Sequence, residues 1–148
     1  MFKLLITTLA ISSSMAAQST AERLGFNATA LDDYVAKEDP TYKWHDTGKR
    51  LHSAVPTAKG LIRYTGYVLN MTSQTWLTEA ESSNPVWTHH LVICVPENYA
   101  KERADWAALW ITWGKNDGTG AEPKIDNLDM IVGSDFATGS GLIVGVLY

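Results

Sequence analysis

Residues 106–113 read Trp-Ala-Ala-Leu-Trp-Ile-Thr-Trp and residues 141–148 read Gly-Leu-Ile-Val-Gly-Val-Leu-Tyr, two runs almost without a polar side chain. A strand with one wet face alternates polar and apolar residues, whereas a run without alternation belongs to a strand covered on both sides, as in parallel sheets. Between them Ile125, Leu128, Ile131, Val132 and Phe136 recur at helical spacing, with Asp126 and Asp129 toward the positive N-terminal end. The pattern predicts a helix from Pro123 to about Thr138 with Gly139 as its C-cap. Strand, crossover helix and parallel strand follow, because parallel neighbours cannot be joined by a tight turn. The first run is expected to be central in its sheet, with Trp106, Trp110 and Trp113 in the core. The second is expected to need a further neighbour and a covering helix, so the domain reads as truncated.

Upstream the period changes. Residues 41–46 alternate around Tyr42 and Trp44, and residues 62–75 place Tyr67, Leu69 and Met71 on one side, as half-buried antiparallel strands do. Residues 48–60 carry Lys, Arg, His and Pro without a period and read as an exposed insertion. Residues 76–85 form a polar connection, and residues 86–95 a strand ended by Pro96 that forms a hairpin with the strand before it. Residues 31–37 predict one or two helical turns, stopped at Asp39-Pro40. The reading is α/β, an antiparallel start leading into a parallel unit.

Residues 1–16 combine Lys3, an apolar run from Leu4 to Ile11, and Ser14 and Ala16 at the spacing a signal peptidase reads. That run is shorter than the roughly 20 residues that span a bilayer, so a signal peptide and an extracellular destination are expected, with no membrane span. Residues 17–30 are a flexible lead-in to a domain over residues 31–148. Asn27-Ala28-Thr29 and Asn70-Met71-Thr72 have the form of glycosylation acceptors. A single cysteine, Cys94, excludes an internal disulfide framework and reads as a small buried hydrophobe. A net charge of −4 argues against nucleic acid as a partner.

The residues that carry chemistry are mostly negative evidence. His89 and His90 are adjacent in a strand and point to opposite faces, and His45 and His52 lack a ligand pattern, so no metal is expected. Gly118-Thr119-Gly120 is followed by Ala121, Glu122 and Pro123 and lacks the third glycine of a dinucleotide loop, so no cofactor is expected. No Gly-x-Ser-x-Gly occurs, and Ser140 is flanked by Thr138 and Leu142 at the glycine positions.

Leu31-Asp32-Asp33-Tyr34-Val35, Tyr42-Lys43-Trp44 and above all Asn70-Met71-Thr72-Ser73-Gln74-Thr75-Trp76 followed by Pro85-Val86-Trp87 closely resemble the PhoPQ-activated pathogenicity-related family. The resemblance covers residues 31–148. It implies the N-terminal portion of a longer secreted α/β-hydrolase-like fold, truncated after about the fourth sheet strand, in which the nucleophile, acid and histidine come later than this chain, leaving it without catalytic competence of its own. The loop after the third strand of such folds helps bind the oxyanion of a tetrahedral intermediate, which makes Gly114, Lys115 and Asn116 the candidates here. The family stretch tends to begin Gly-Gly; Gly114 matches the second glycine and Trp113 stands at the first. The family includes secreted proliferation repressors, so a signalling or binding role without hydrolysis is the alternative. The implied partners are a small-molecule substrate or a cell-surface receptor.

Overall fold

The computed structural model describes residues 29–116 and 122–148. The expected signal peptide, most of the expected lead-in, Asn27 and the Gly118-Thr119-Gly120 stretch lie outside the described residues. The chain divides into two compact units, Met1–Glu38 and Asp39–Tyr148.

In the first unit, helix α1 spans Ala30–Ala36. Thr29 caps it, and Asp32 reaches back to accept from the Thr29 backbone N–H at 2.8 Å, a reciprocal capping box. Those hydrogen bonds hold the Asp32 carboxyl below its ordinary pKa of 3.8.

The second unit is a five-stranded sheet carrying one helix. Its strands are β1 (Lys43–Thr57), β2 (Gly60–Thr75), β3 (Val86–Pro96), β4 (Ala107–Ile111) and β5 (Ile143–Leu147), in the order β1-β2-β3-β5-β4. All adjacent pairs are antiparallel except β4 with β5, which is parallel and bridged by helix α2 (Leu128–Ser140). The expected strand-helix-strand unit is present.

Six expectations are corrected. The stretch over residues 48–60 is not an insertion: it continues β1, paired with β2 from Arg50↔Tyr67 to Thr57↔Gly60. The period was hidden by a register irregularity between Asp46 and Arg50, where Gly48 takes φ +79°. Arg50 returns both Nη groups to Asp46, at 2.8 and 2.6 Å, and lies 4.5 Å over the Tyr67 ring.

The β5 strand is not bare. It is inserted between β3 and β4, and Val144, Gly145 and Val146 are buried. The outer position falls instead to β4, expected to be central, and there Leu109 is 58% and Ile111 69% exposed. Trp106, Trp110 and Trp113 are accordingly exposed and not core. An all-apolar run identifies a strand that needs cover; it does not say on which side of the sheet order the cover lies.

Helix α2 begins at Leu128, five residues later than expected, because Asn127 accepts from Asp129 N–H as the N-cap. It ends beyond Gly139 at Gly141, whose φ of +71° supplies the left-handed cap. Gly133 lets α2 close on the sheet: a Cβ there would lie 2.4 Å from Val146 Cγ2. The core between helix and sheet is Leu51, Tyr64, Val68, Val92, Cys94, Met130, Ala137, Val144 and Val146. Cys94 is fully buried, as expected, and burial pushes its thiol up to about 12.

Candidate functional site

Along β2 the side chains on the helix-covered face are Tyr64, Gly66 and Val68, then Asn70 and Thr72. Along β3 they are Cys94 and Val92, then His90 and Thr88. On both strands the same face turns from apolar to polar at one level. Register carries that level onto β1, since His45 pairs with Asn70, which pairs with His90, and Lys43 pairs with Thr72, which pairs with Thr88. Two polar rows therefore cross three strands on the face that α2 covers elsewhere.

Above these rows lies a cleft of about 530 Å³. It sits where β4 and β5 end: Trp113, Gly114 and Lys115 line it after β4, and Tyr148 after β5. Asn127 and Asp129, at the N-terminus of α2, line it as well. The carboxyl ends of parallel strands at a reversal of strand order are where open α/β sheets bind ligands, and the helix N-terminus adds a partial positive charge.

Hydrogen bonds fix the imidazoles. His90 donates from Nδ1 to Asn70 Oδ1 at 2.8 Å, which leaves its Nε2 to the cleft. His89 donates from Nδ1 to the Tyr148 carbonyl at 3.0 Å, and its Nε2 is hydrogen-bonded to Ser73 Oγ at 2.9 Å. Trp87 stacks on His89 with ring centroids 6.4 Å apart, and Tyr148 N–H donates to His90 O at 2.9 Å. Ser73 lies at the register irregularity of β2, and this relay ties it to β3 and to the end of β5. The Tyr148 phenol is raised above its ordinary pKa, first by burial and then by Asp129. The Asp129 carboxylate accepts from Trp110 Nε1 at 3.1 Å.

The three loop candidates divide. Gly114 and Lys115 line the cleft, whereas the Asn116 side chain is spent on β3: its Nδ2 donates to Asn84 O and Val86 O at 3.1 and 2.8 Å, and its Oδ1 accepts from Thr88 N–H at 3.2 Å. Asn116 thus holds the loop in place. Gly114 has no positive φ, and a Cβ there would meet only the Tyr148 carbonyl carbon at 3.8 Å, so neither conformation nor packing demands glycine. Trp113 is 93% exposed and does not pack over it. Of the two acceptor sequons, Asn70 is half-buried with its amide oxygen on His90, and Asn27 lies outside the described residues.

Sequence reasoning placed His89 and His90 on opposite faces, yet both line the cleft, and it missed what His90 joins. The signal was the change of character on one parity, Val68 to Asn70 and Val92 to His90. His45 and His90 stand two strands apart, about 10 Å between backbones. Among the described residues no group of three His, Cys, Asp or Glu gathers for a metal. No helix among them is long and apolar enough to cross a membrane.

A profile described as PhoPQ-activated pathogenicity-related protein matches residues 31–147. Among curated proteins the chain is similar to autocrine proliferation repressor protein A of Dictyostelium discoideum, 36% identical over 108 residues. The match takes in 71% of this chain and 19% of that protein, so the chain spans about a fifth of its relative's length. No solved structure matches the chain.

Proposed function

The chain belongs to the PhoPQ-activated pathogenicity-related protein family, and on that premise we propose that it is the N-terminal part of a secreted α/β-hydrolase-like protein and supplies one wall of its ligand site. The observation that carries the reading is the position of Gly114 and Lys115, directly after a parallel strand and lining the cleft at the strand ends. A backbone there is suited to receive the oxyanion of an acyl-transfer intermediate. A glycine that the fold itself does not require fits close approach by a ligand.

The attacking group lies elsewhere in this reading. Ser73 is hydrogen-bonded to His89, but it is not among the residues lining the cleft, and no nucleophile elbow occurs in the sequence. The chain then binds and orients but does not turn over. The test replaces the matching segment of the amoebal relative with this chain and follows hydrolysis of p-nitrophenyl esters. Turnover by the chimera, its loss on Gly114→Val with secretion unchanged, and none from the isolated chain are expected. Equal turnover by the isolated chain would overturn the reading.

A second reading rests on the name of that relative, a proliferation repressor. Growth arrest of amoebae by a chimera that hydrolyses nothing would favour it.

A further inference from the structure

The protein is acidic overall, yet the charge lining this cleft is not. Lys43 and Lys115 reach it from β1 and from the loop after β4, facing a single carboxylate, Asp129. The ion pairs among the described residues are Lys49 with Glu122 and Arg50 with Asp46, and neither cleft lysine takes part in them. Asp129 is occupied by the Trp110 indole and lies in the first turn of α2. The other polar groups are rich in donors. With its oxygen on His90, Asn70 keeps its amide N–H pair, and Thr72 and Thr88 supply hydroxyls from the same face.

A donor-rich, cation-bearing floor where two-layer packing would otherwise put apolar residues costs stability unless something occupies it. The volume, about 530 Å³, is that of a small-molecule site. We infer that this cleft binds a small organic anion through a carboxylate or phosphate group held between Lys43 and Lys115 over the Asn70 row. This deepens the reading above by naming the charge of the ligand at the same site, and it rests on that reading only for the location of the chemistry. Trp113 at the rim offers an apolar face to the remainder of such a molecule.

The test is isothermal titration of the whole chain with inorganic phosphate and, separately, with citrate, against glycerol and sodium chloride at matched ionic strength. Saturable binding of either anion is expected, weakened at least tenfold by the Lys43→Gln/Lys115→Gln pair and unchanged by Lys59→Gln, which removes a cation in the turn between β1 and β2, outside the cleft lining. Phosphate without citrate would assign a phosphate ester, and the reverse a carboxylate. Far-ultraviolet circular dichroism of each variant separates lost binding from lost folding; if the pair is unfolded, Asn70→Asp, which puts a carboxylate in the row, is expected to abolish binding. Heats no larger than with sodium chloride, or equal loss on Lys59→Gln, would overturn the inference. Anion binding with an inactive chimera would refute hydrolysis and leave the anion site standing, and an active chimera without anion binding would do the opposite.

Discussion

Gly133 and Gly139 lie in the same helix and face opposite circumstances, so the same substitution should have opposite signs. At Gly133 an added methyl would sit 2.4 Å from Val146 Cγ2, more than 1 Å inside the roughly 3.5–4.0 Å of an ordinary carbon contact. Val146 cannot give way easily, because it is fully buried, β-branched and paired in the sheet with Trp110 and Val92. Overpacking of this kind costs about 1–3 kcal/mol, against about 1 kcal/mol regained from replacing a helical glycine by alanine, for a net loss of up to about 2 kcal/mol. At Gly139 nothing lies within 4 Å. Only the helix term acts there, near the helix end, giving a gain of up to about 1 kcal/mol. The two melting temperatures should therefore differ by roughly 10 °C in a unit of this size, at about 4–8 °C per kcal/mol. Thermal and urea melts of Gly133→Ala, Gly139→Ala and Gly133→Ala/Val146→Ala check this, with positive coupling expected in the double variant. A Gly133→Ala protein as stable as Gly139→Ala would refute the close helix–sheet approach.

The Cys94 thiol, buried and pushed up to about 12, should resist dithionitrobenzoate at pH 8 until denaturant is added; labelling of the native protein within the mixing time would contradict its burial. Hydrogen bonds from Arg50 hold the Asp46 carboxyl at about 2, below its ordinary 3.8, so its contribution is full above 3.8 and is lost as pH falls through 2. Asp46→Asn should thus lower stability at neutral pH, with the gap to wild type closing on acidification and shrinking in salt; a constant gap would contradict the pairing. On the outer strand, Ile111→Lys should reduce self-association and hydrophobic-dye binding, measured by sedimentation and fluorescence, and an unchanged sedimentation profile would count against an open β4 edge.

The elements were legible where one period held. The two apolar runs and the helix between them give the parallel β4-α2-β5 unit, and the alternation of Tyr67, Leu69 and Met71 with the run ended by Pro96 gives the β2-β3 hairpin. Sheet order was not legible, because hydrophobicity reports how much cover a strand needs and not which strand provides it. That is why β5, and not β4, is the inner of the pair. The extent of β1 was lost where Gly48 and the Asp46–Arg50 clamp break register, so polar residues on both sides looked like a loop. At the site, sequence named Gly114 and Lys115 by family resemblance, and both line the cleft. The row of His45, Asn70 and His90 depends on pairing between residues 20 or more positions apart, which no local pattern encodes.

The most direct test of the claim that this cleft is where acyl-transfer chemistry takes place is a crystal structure of the amoebal chimera after reaction with a fluorophosphonate. The adduct mimics the tetrahedral intermediate, its phosphonyl oxygen standing for the oxyanion. That oxygen is expected at about 2.7–3.1 Å from a backbone N–H of Gly114 or Lys115. An adduct whose oxygen is held by other groups, with residues 114–115 out of hydrogen-bond reach, would contradict the claim, as would a protein that forms no adduct.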